Sequence, residues 1–216
     1  IPAGFSITAW AGTGATATVG HGLSQAPQLI IVKNRDDDDN WCVLVNLVGG
    51  PDATDFLRLD ADTAVVDDAD RWNDTAPSAT VFTVDTDNQV NGDGDNMVAW
   101  CFHSVEGYSK IGKYIGNGNA NGPFVYTGFR PAFVLLKPLD DSGWKIFDNK
   151  REGFNGDGSN DLLQPNSNAA EGDADRFDIL SNGFKNKSSS GGQNENGITF
   201  IYMAFAEIPF KYTSAR

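Results

Sequence analysis

Apolar and polar residues alternate with a period of two in short stretches of the chain. Phe5, Ile7 and Ala9 alternate with polar neighbours, the pattern of a strand with one face in a core and one in water. Leu29-Ile30-Ile31-Val32 and Phe133-Val134-Leu135-Leu136 are unbroken apolar runs of strand length. Such runs predict central strands covered on both faces, and residues 198–206 read the same way. Turn chemistry rich in Asn, Asp and Gly separates them at residues 34–40, 91–95, 140–143 and 188–197. No segment holds a 3.6-residue apolar period over three turns. The expectation is an all-β chain, a β-sandwich of jelly-roll-like type.

The pattern also repeats itself at a spacing of about 104 residues. Gly4-Phe5-Ser6 recurs as Gly107-Tyr108-Ser109, and Trp10-Ala11-Gly12-Thr13-Gly14 as Tyr114-Ile115-Gly116-Asn117-Gly118. Pro27-Gln28-Leu29-Ile30-Ile31-Val32-Lys33 recurs as Pro131-Ala132-Phe133-Val134-Leu135-Leu136-Lys137. An acidic tip and a tryptophan follow in each half, Trp41 and Trp144. Then Asp68-Ala69-Asp70-Arg71-Trp72 matches Asp173-Ala174-Asp175-Arg176-Phe177, and the run 97–102 matches 200–205. The order of matches is the same in both halves. Two packed pseudo-repeats are therefore expected, 1–107 and 108–216, with no Pro- or Ser-rich linker between them.

Composition adds limits to this picture. Twenty-nine acidic against sixteen basic residues give a formal charge of −13. That charge opposes non-specific binding to nucleic acid, whose phosphates need Lys and Arg. No apolar stretch approaches the ~18 residues of a membrane helix, so no membrane insertion is expected. The start, Ile1-Pro2-Ala3-Gly4, has neither an initiator Met nor the features of a signal peptide, which suggests a piece of a longer chain. Cys42 and Cys101 both lie in apolar runs and read as buried free thiols, a disulfide being the lesser alternative.

Catalytic signatures are missing: there is no G-x-S-x-G, H-E-x-x-H or P-loop. The paired fragments Gly12-Thr13-Gly14 and Gly116-Asn117-Gly118 read as strand-joining turns. Neither of the two histidines, His21 and His103, has a histidine counterpart in the other half. The carboxylates Asp68 and Asp70, with their repeats Asp173 and Asp175, are the candidates for a glycosidase pair. The simpler reading is a solvated turn in which these acids pair with Arg71 and Arg176. For an exposed aromatic of a sugar platform, Trp72 beside Arg71 is a better candidate than Trp41 or Trp144, whose equivalent positions at strand starts favour core packing. Candidate ligand-binding residues are thus Trp72, Arg71, Asp68, Asp70, Asp173, Asp175 and Arg176. Oxygen-rich turns, such as residues 36–39, 85–88, 91–95 and 156–158, leave structural Ca²⁺ open but lack EF-hand spacing. No other cofactor is expected.

A family resemblance rests on several segments. They are Gly20-His21-Gly22-Leu23 leading to Pro27 and the Ile-Ile-Val-Lys strand, Val105-Glu106-Gly107-Tyr108-Ser109-Lys110, and residues 124–133. Leu180-Ser181-Asn182-Gly183-Phe184-Lys185, Tyr202-Met203-Ala204-Phe205-Ala206-Glu207 and Pro209-Phe210-Lys211-Tyr212 complete the set. Over nearly its whole length the chain resembles a domain of unknown function in tail-fibre and other structural proteins of marine and cyanobacterial phages. The resemblance implies a chain end near Pro209-Phe210-Lys211-Tyr212 and association with a virion. It also implies oligomeric assembly with other tail proteins and contact with a host-surface glycan or protein. It transfers no catalytic motif. The expected function is a non-enzymatic structural and receptor-binding module; a glycan depolymerase with an Asp pair and a secreted bacterial lectin are the alternatives.

Overall fold

The computed structural model describes residues 4–151, 155, 162–172, 177–189 and 191–208. The chain divides into two compact units, Ile1–His103 and Ser104–Arg216, each an antiparallel all-β sandwich.

In the first unit the strands are β1 (Phe5–Ala11), β2 (Ala17–Gly20), β3 (Leu29–Asn34), β4 (Cys42–Val45), β5 (Asp55–Arg58), β6 (Val66–Asp67), β7 (Val81–Val84) and β8 (Asn96–Phe102). One sheet runs β1-β8-β3-β4-β5-β6, and β2 pairs with β7 in a second. The last strand lies between the first and the third: Phe102 faces Phe5 on one side and Leu29 on the other. Ile30, Val32, Cys42, Leu44, Met97, Ala99 and Cys101 on the large sheet pack against Val19, Phe82 and Val84 on the small one. Removing such side chains from water is worth about 25 cal/mol per Å², and this shared apolar face holds the two sheets together.

Two single-turn helices, α1 (Ala69–Trp72) and α2 (Asn88–Asn91), add Trp72 and Val90 to the core. A helix of one turn is too short to display a periodicity, so the sequence pattern did not announce it.

In the second unit the strands are β9 (Ser109–Ile115), β10 (Phe124–Tyr126), β11 (Pro131–Pro138), β12 (Lys145–Asp148), β13 (Phe177–Leu180), β14 (Gly183–Asn186) and β15 (Thr199–Ala206), with one helix, α3 (Gly191–Asn194). The sheet order β9-β15-β11-β12 repeats β1-β8-β3-β4. Single bridges Ile146↔Leu163 and Leu162↔Gly172 continue it where the first unit has β5 and β6. The pair β10-β14 repeats β2-β7, and β13 is an added third strand. The core again lies between the sheets, here with Phe147, Phe177 and Phe184 stacked in a column.

The ladders fix the equivalence residue by residue. Leu29 pairs with Phe102 as Phe133 pairs with Phe205, and Trp10 pairs with Met97 as Tyr114 pairs with Phe200. One sequence match is displaced. His103 donates its backbone N–H to Gly4 as Ala206 donates to Tyr108, so Gly4 and Gly107 stand one residue out of register. The G-x-G turns have a steric cause. A Cβ on Gly12 would collide with the Gly92 carbonyl oxygen, and one on Gly116 with that of Glu195. The second glycine of each turn takes a positive φ, 60° at Gly14 and 64° at Gly118.

The central lysines repeat too. Lys33 donates to the carbonyls of Asp37 and Asp39 at 2.8 and 2.7 Å. Lys137 donates to those of Asp140 and Ser142 at 2.9 and 2.7 Å. Each ammonium thus ties down the acidic tip that follows its own strand.

Candidate functional site

Two copies of one fold in one chain give an internal standard. A residue present in both copies serves the fold; an exposed residue present in only one has no such reason to be there.

By that standard the Asp68-Ala69-Asp70-Arg71-Trp72 segment is structural. Asp68 caps α1, accepting the Asp70 N–H at 3.0 Å, and also pairs with Arg71. Arg71 is 5% exposed, reaches Asp87 at 3.2 Å, and lies 3.6 Å over the Phe56 ring. Asp70 is exposed, while its backbone carbonyl accepts the Asp87 N–H at 3.0 Å. The Asp68 carboxylate is thereby occupied by an internal cation and a helix N-terminus. The expectation of an exposed Trp72 is corrected: the indole is 0% exposed and belongs to the core. The turn of α1 aims it inward, and its match to apolar Phe177, also buried, was the signal in the sequence. Asp173, Asp175 and Arg176 lie outside the described residues.

His21 is held by the backbone and His103 meets a side-chain amide. His21 Nδ1 accepts the Leu23 N–H at 3.1 Å and Nε2 contacts the Ser78 carbonyl at 3.2 Å. Its structural counterpart is Thr127, whose Oγ1 accepts the Phe129 N–H at 3.4 Å. His103 Nδ1 lies 2.6 Å from the Gln25 amide. Among the described residues, no group of three or more His, Cys, Asp or Glu side chains is arranged to hold a metal ion. Two acids of these turns accept backbone N–H groups. Asp36 accepts the Asn96 N–H at 2.6 Å, and Asp87 caps α2. Residues 156–158 lie outside the described set.

Among the described residues, two divergences between the copies concern side-chain chemistry most. The first is the core. Trp10, Cys42, Val84 and Val90 of the first unit correspond to Tyr114, Lys145, Asn186 and Gln193 of the second. The Tyr114 hydroxyl donates to the Gln193 carbonyl at 2.7 Å, and burial pushes the phenol well above its usual range. The side-chain amides of Asn186 and Gln193 are fully buried; that of Asn186 lies beside the Tyr114 hydroxyl, whereas that of Gln193 finds no hydrogen-bond partner among the described residues.

The second place is the outward face of β10. Val19 and Val125 both point into their cores. Their neighbours point out, and these are Thr18 and Gly20 in the first unit but Phe124 and Tyr126 in the second. Phe124 is 46% and Tyr126 59% exposed. Across the ladder Phe124 faces Lys185 and Tyr126 faces Gly183; on β13 the same face continues with Asp178 and Leu180. Gly183 leaves room for the Phe124 ring to lean over the strand. Lys110 Nζ stands 5.9 Å from the Tyr126 ring centre. Lys185 Nζ reaches Asn121 Oδ1 at 2.5 Å, while Asp178 pairs with Lys187 at 3.6 Å. An aromatic face carries a negative quadrupole that attracts cations and polarised C–H groups. Two exposed rings flanked by lysines and an asparagine form a surface able to stack on a sugar ring and bond its substituents. Sequence reading missed these rings because a short F-V-Y strand looks like core; only alignment with the Ala-Thr-Val-Gly of β2 singles them out.

Residues 1–209 match the family model described as Domain of unknown function (DUF7483). No curated protein and no solved structure matches the chain.

Proposed function

The chain belongs to the DUF7483 family, and we propose that it is a non-enzymatic attachment module of a viral particle, binding a glycan on the host surface through its second unit. The observation that carries the binding half is the exposed Phe124–Tyr126 pair at positions where the duplicate fold is content with Thr18 and Gly20. Large apolar side chains in water are an expense that folding does not require here. The particle half rests on the resemblance of the repeated segments to phage tail-fibre domains. In that setting other tail proteins and further copies of the chain are its assembly partners, and its location is the virion.

The non-enzymatic half rests on how the acids are used. The best-placed carboxylate of the first unit, Asp68, is engaged by Arg71 and a backbone N–H. Binding of the labelled chain to intact host cells tests the reading. The chain is expected to coat the cells, and the Phe124→Ala/Tyr126→Ala double variant to do so at least about tenfold more weakly. Equal binding by the double variant would refute this site, and release of reducing sugar from host envelope would refute the non-enzymatic reading.

A further inference from the structure

We propose that the ligand of the β10 face is an acidic glycan, one whose sugar rings carry carboxylates or comparable anionic groups. This rests on the attachment reading above and adds the chemical class of what is bound.

In a chain of net −13, Lys33 and Lys137 are tied to backbone carbonyls and Lys187 pairs with Asp178. Lys110 and Lys185 form no ion pair among the described residues, and their sole recorded polar or ring contacts are the Tyr126 ring and Asn121. Both stand beside the exposed rings. A cation left unpaired next to an apolar surface in an acidic protein is a local site for an anion.

The arrangement is also paired. Phe124 and Tyr126 are two residues apart on one strand, so their stems are separated by about 7 Å on the same face. Lys185 lies directly across from Phe124, and Lys110 lies over Tyr126. Each ring therefore has its own ammonium. A polymer of pyranose rings bearing carboxylates offers the complementary series, with C–H faces for the aromatics and charges for the lysines. Asn121, held by Lys185, adds an amide for hydroxyl groups.

Single-stranded nucleic acid also presents stackable rings and anions. Its charge is far denser, and it would have to lie along a surface with 29 acidic residues. A glycan with at most one charge per ring suits two isolated lysines better.

The test is affinity electrophoresis of the whole chain through gels containing polygalacturonate, dextran or a single-stranded oligonucleotide. Retardation is expected in polygalacturonate alone, weakening as salt is raised. Lys110→Met/Lys185→Met and Phe124→Ala/Tyr126→Ala should each reduce it about tenfold, with melting temperature unchanged because all four side chains lie at the surface. Equal retardation in dextran, insensitive to the lysine changes, would overturn the acidic class while leaving attachment to a neutral sugar standing. No retardation in polygalacturonate by a chain that still binds host cells would also overturn it. Equal or stronger retardation by the oligonucleotide would overturn the glycan assignment itself.

Discussion

Asn91 and Asn194 stand at equivalent positions in the two units and make the same four hydrogen bonds. Asn91 Nδ2 donates to Thr13 Oγ1, Ala15 O and Asp85 O at 3.0, 2.8 and 2.9 Å, and Oδ1 accepts the Thr13 N–H at 3.0 Å. Asn194 Nδ2 donates to Asn117 Oδ1, Asn119 O and Ser188 O, each at 2.8 Å, and Oδ1 accepts the Asn117 N–H at 2.8 Å. Both residues are fully buried. One side chain thus ties the G-x-G turn to the short helix and to the segment before it.

Asn91→Ala and Asn194→Ala should each destabilise their own unit by about 2–3 kcal/mol, since four hydrogen bonds of a fully buried side chain are lost at once. Hydrogen exchange checks this: protection should fall among the amides of residues 4–103 in the first variant and of residues 104–208 in the second. Protection lost equally in both units by either variant would contradict a local role.

The buried amides of the second unit predict the opposite sign. Gln193 corresponds to Val90, is fully buried, and makes no hydrogen bond through its amide among the described residues. Burying such a group costs about 1–3 kcal/mol. Gln193→Val, which restores the residue of the sister unit, should therefore raise the urea midpoint by an amount equivalent to about 1 kcal/mol or more. A lowered midpoint would mean that the amide has a partner essential to the fold.

Arg71 and its acids yield a prediction about both stability and activity. Arg71→Ala should cost about 3–5 kcal/mol, because it strands Asp68 and Asp87 beside a core. Asp70→Asn, at an exposed carboxyl, should change stability by less than about 0.5 kcal/mol. Neither the parent chain nor Asp70→Asn should release reducing sugar from host polysaccharide. Release by the parent chain that is lost in Asp70→Asn would restore the depolymerase reading.

The thiols test the sheet order. Cys42 on β4 and Cys101 on β8 are separated by β3, hence by about 9–10 Å across the sheet. A disulfide needs Cα atoms within about 7 Å. Burial pushes both thiols up to about 12, the nearby Arg71 opposing the shift at Cys42 and Ser6 at Cys101. The reactive thiolate is therefore scarce at pH 8. A thiol reagent at pH 8 should label neither residue in the folded chain and both after unfolding. Failure to label either one in unfolded, unreduced protein would reveal a bridge and contradict the strand order.

The all-β class, the central strands and the duplication were legible in the sequence because they rest on apolar runs and on matched glycines and prolines. Leu29 to Val32 and Phe133 to Leu136 are both central strands. What was hidden is what depends on direction within one turn. Nothing local to Asp68-Ala69-Asp70-Arg71-Trp72 says that one helical turn sends Trp72 and Arg71 inward. The Asn91–Asn194 pair was also missed, since one short polar side chain leaves no periodic trace. The candidate site was the least legible, because an exposed Phe-Val-Tyr and a buried one read alike until the second copy supplies Thr18 and Gly20 for comparison.

Backbone chemical-shift mapping with host-surface polysaccharide decides whether the two copies, alike in fold, differ in a binding face. Shifts are expected at Lys110, Asn121, Phe124, Tyr126, Gly183 and Lys185, with the equivalent residues Thr18, Gly20, Val81 and Thr83 unmoved. Shifts centred on those first-unit residues, or spread without regard to either face, would contradict that difference.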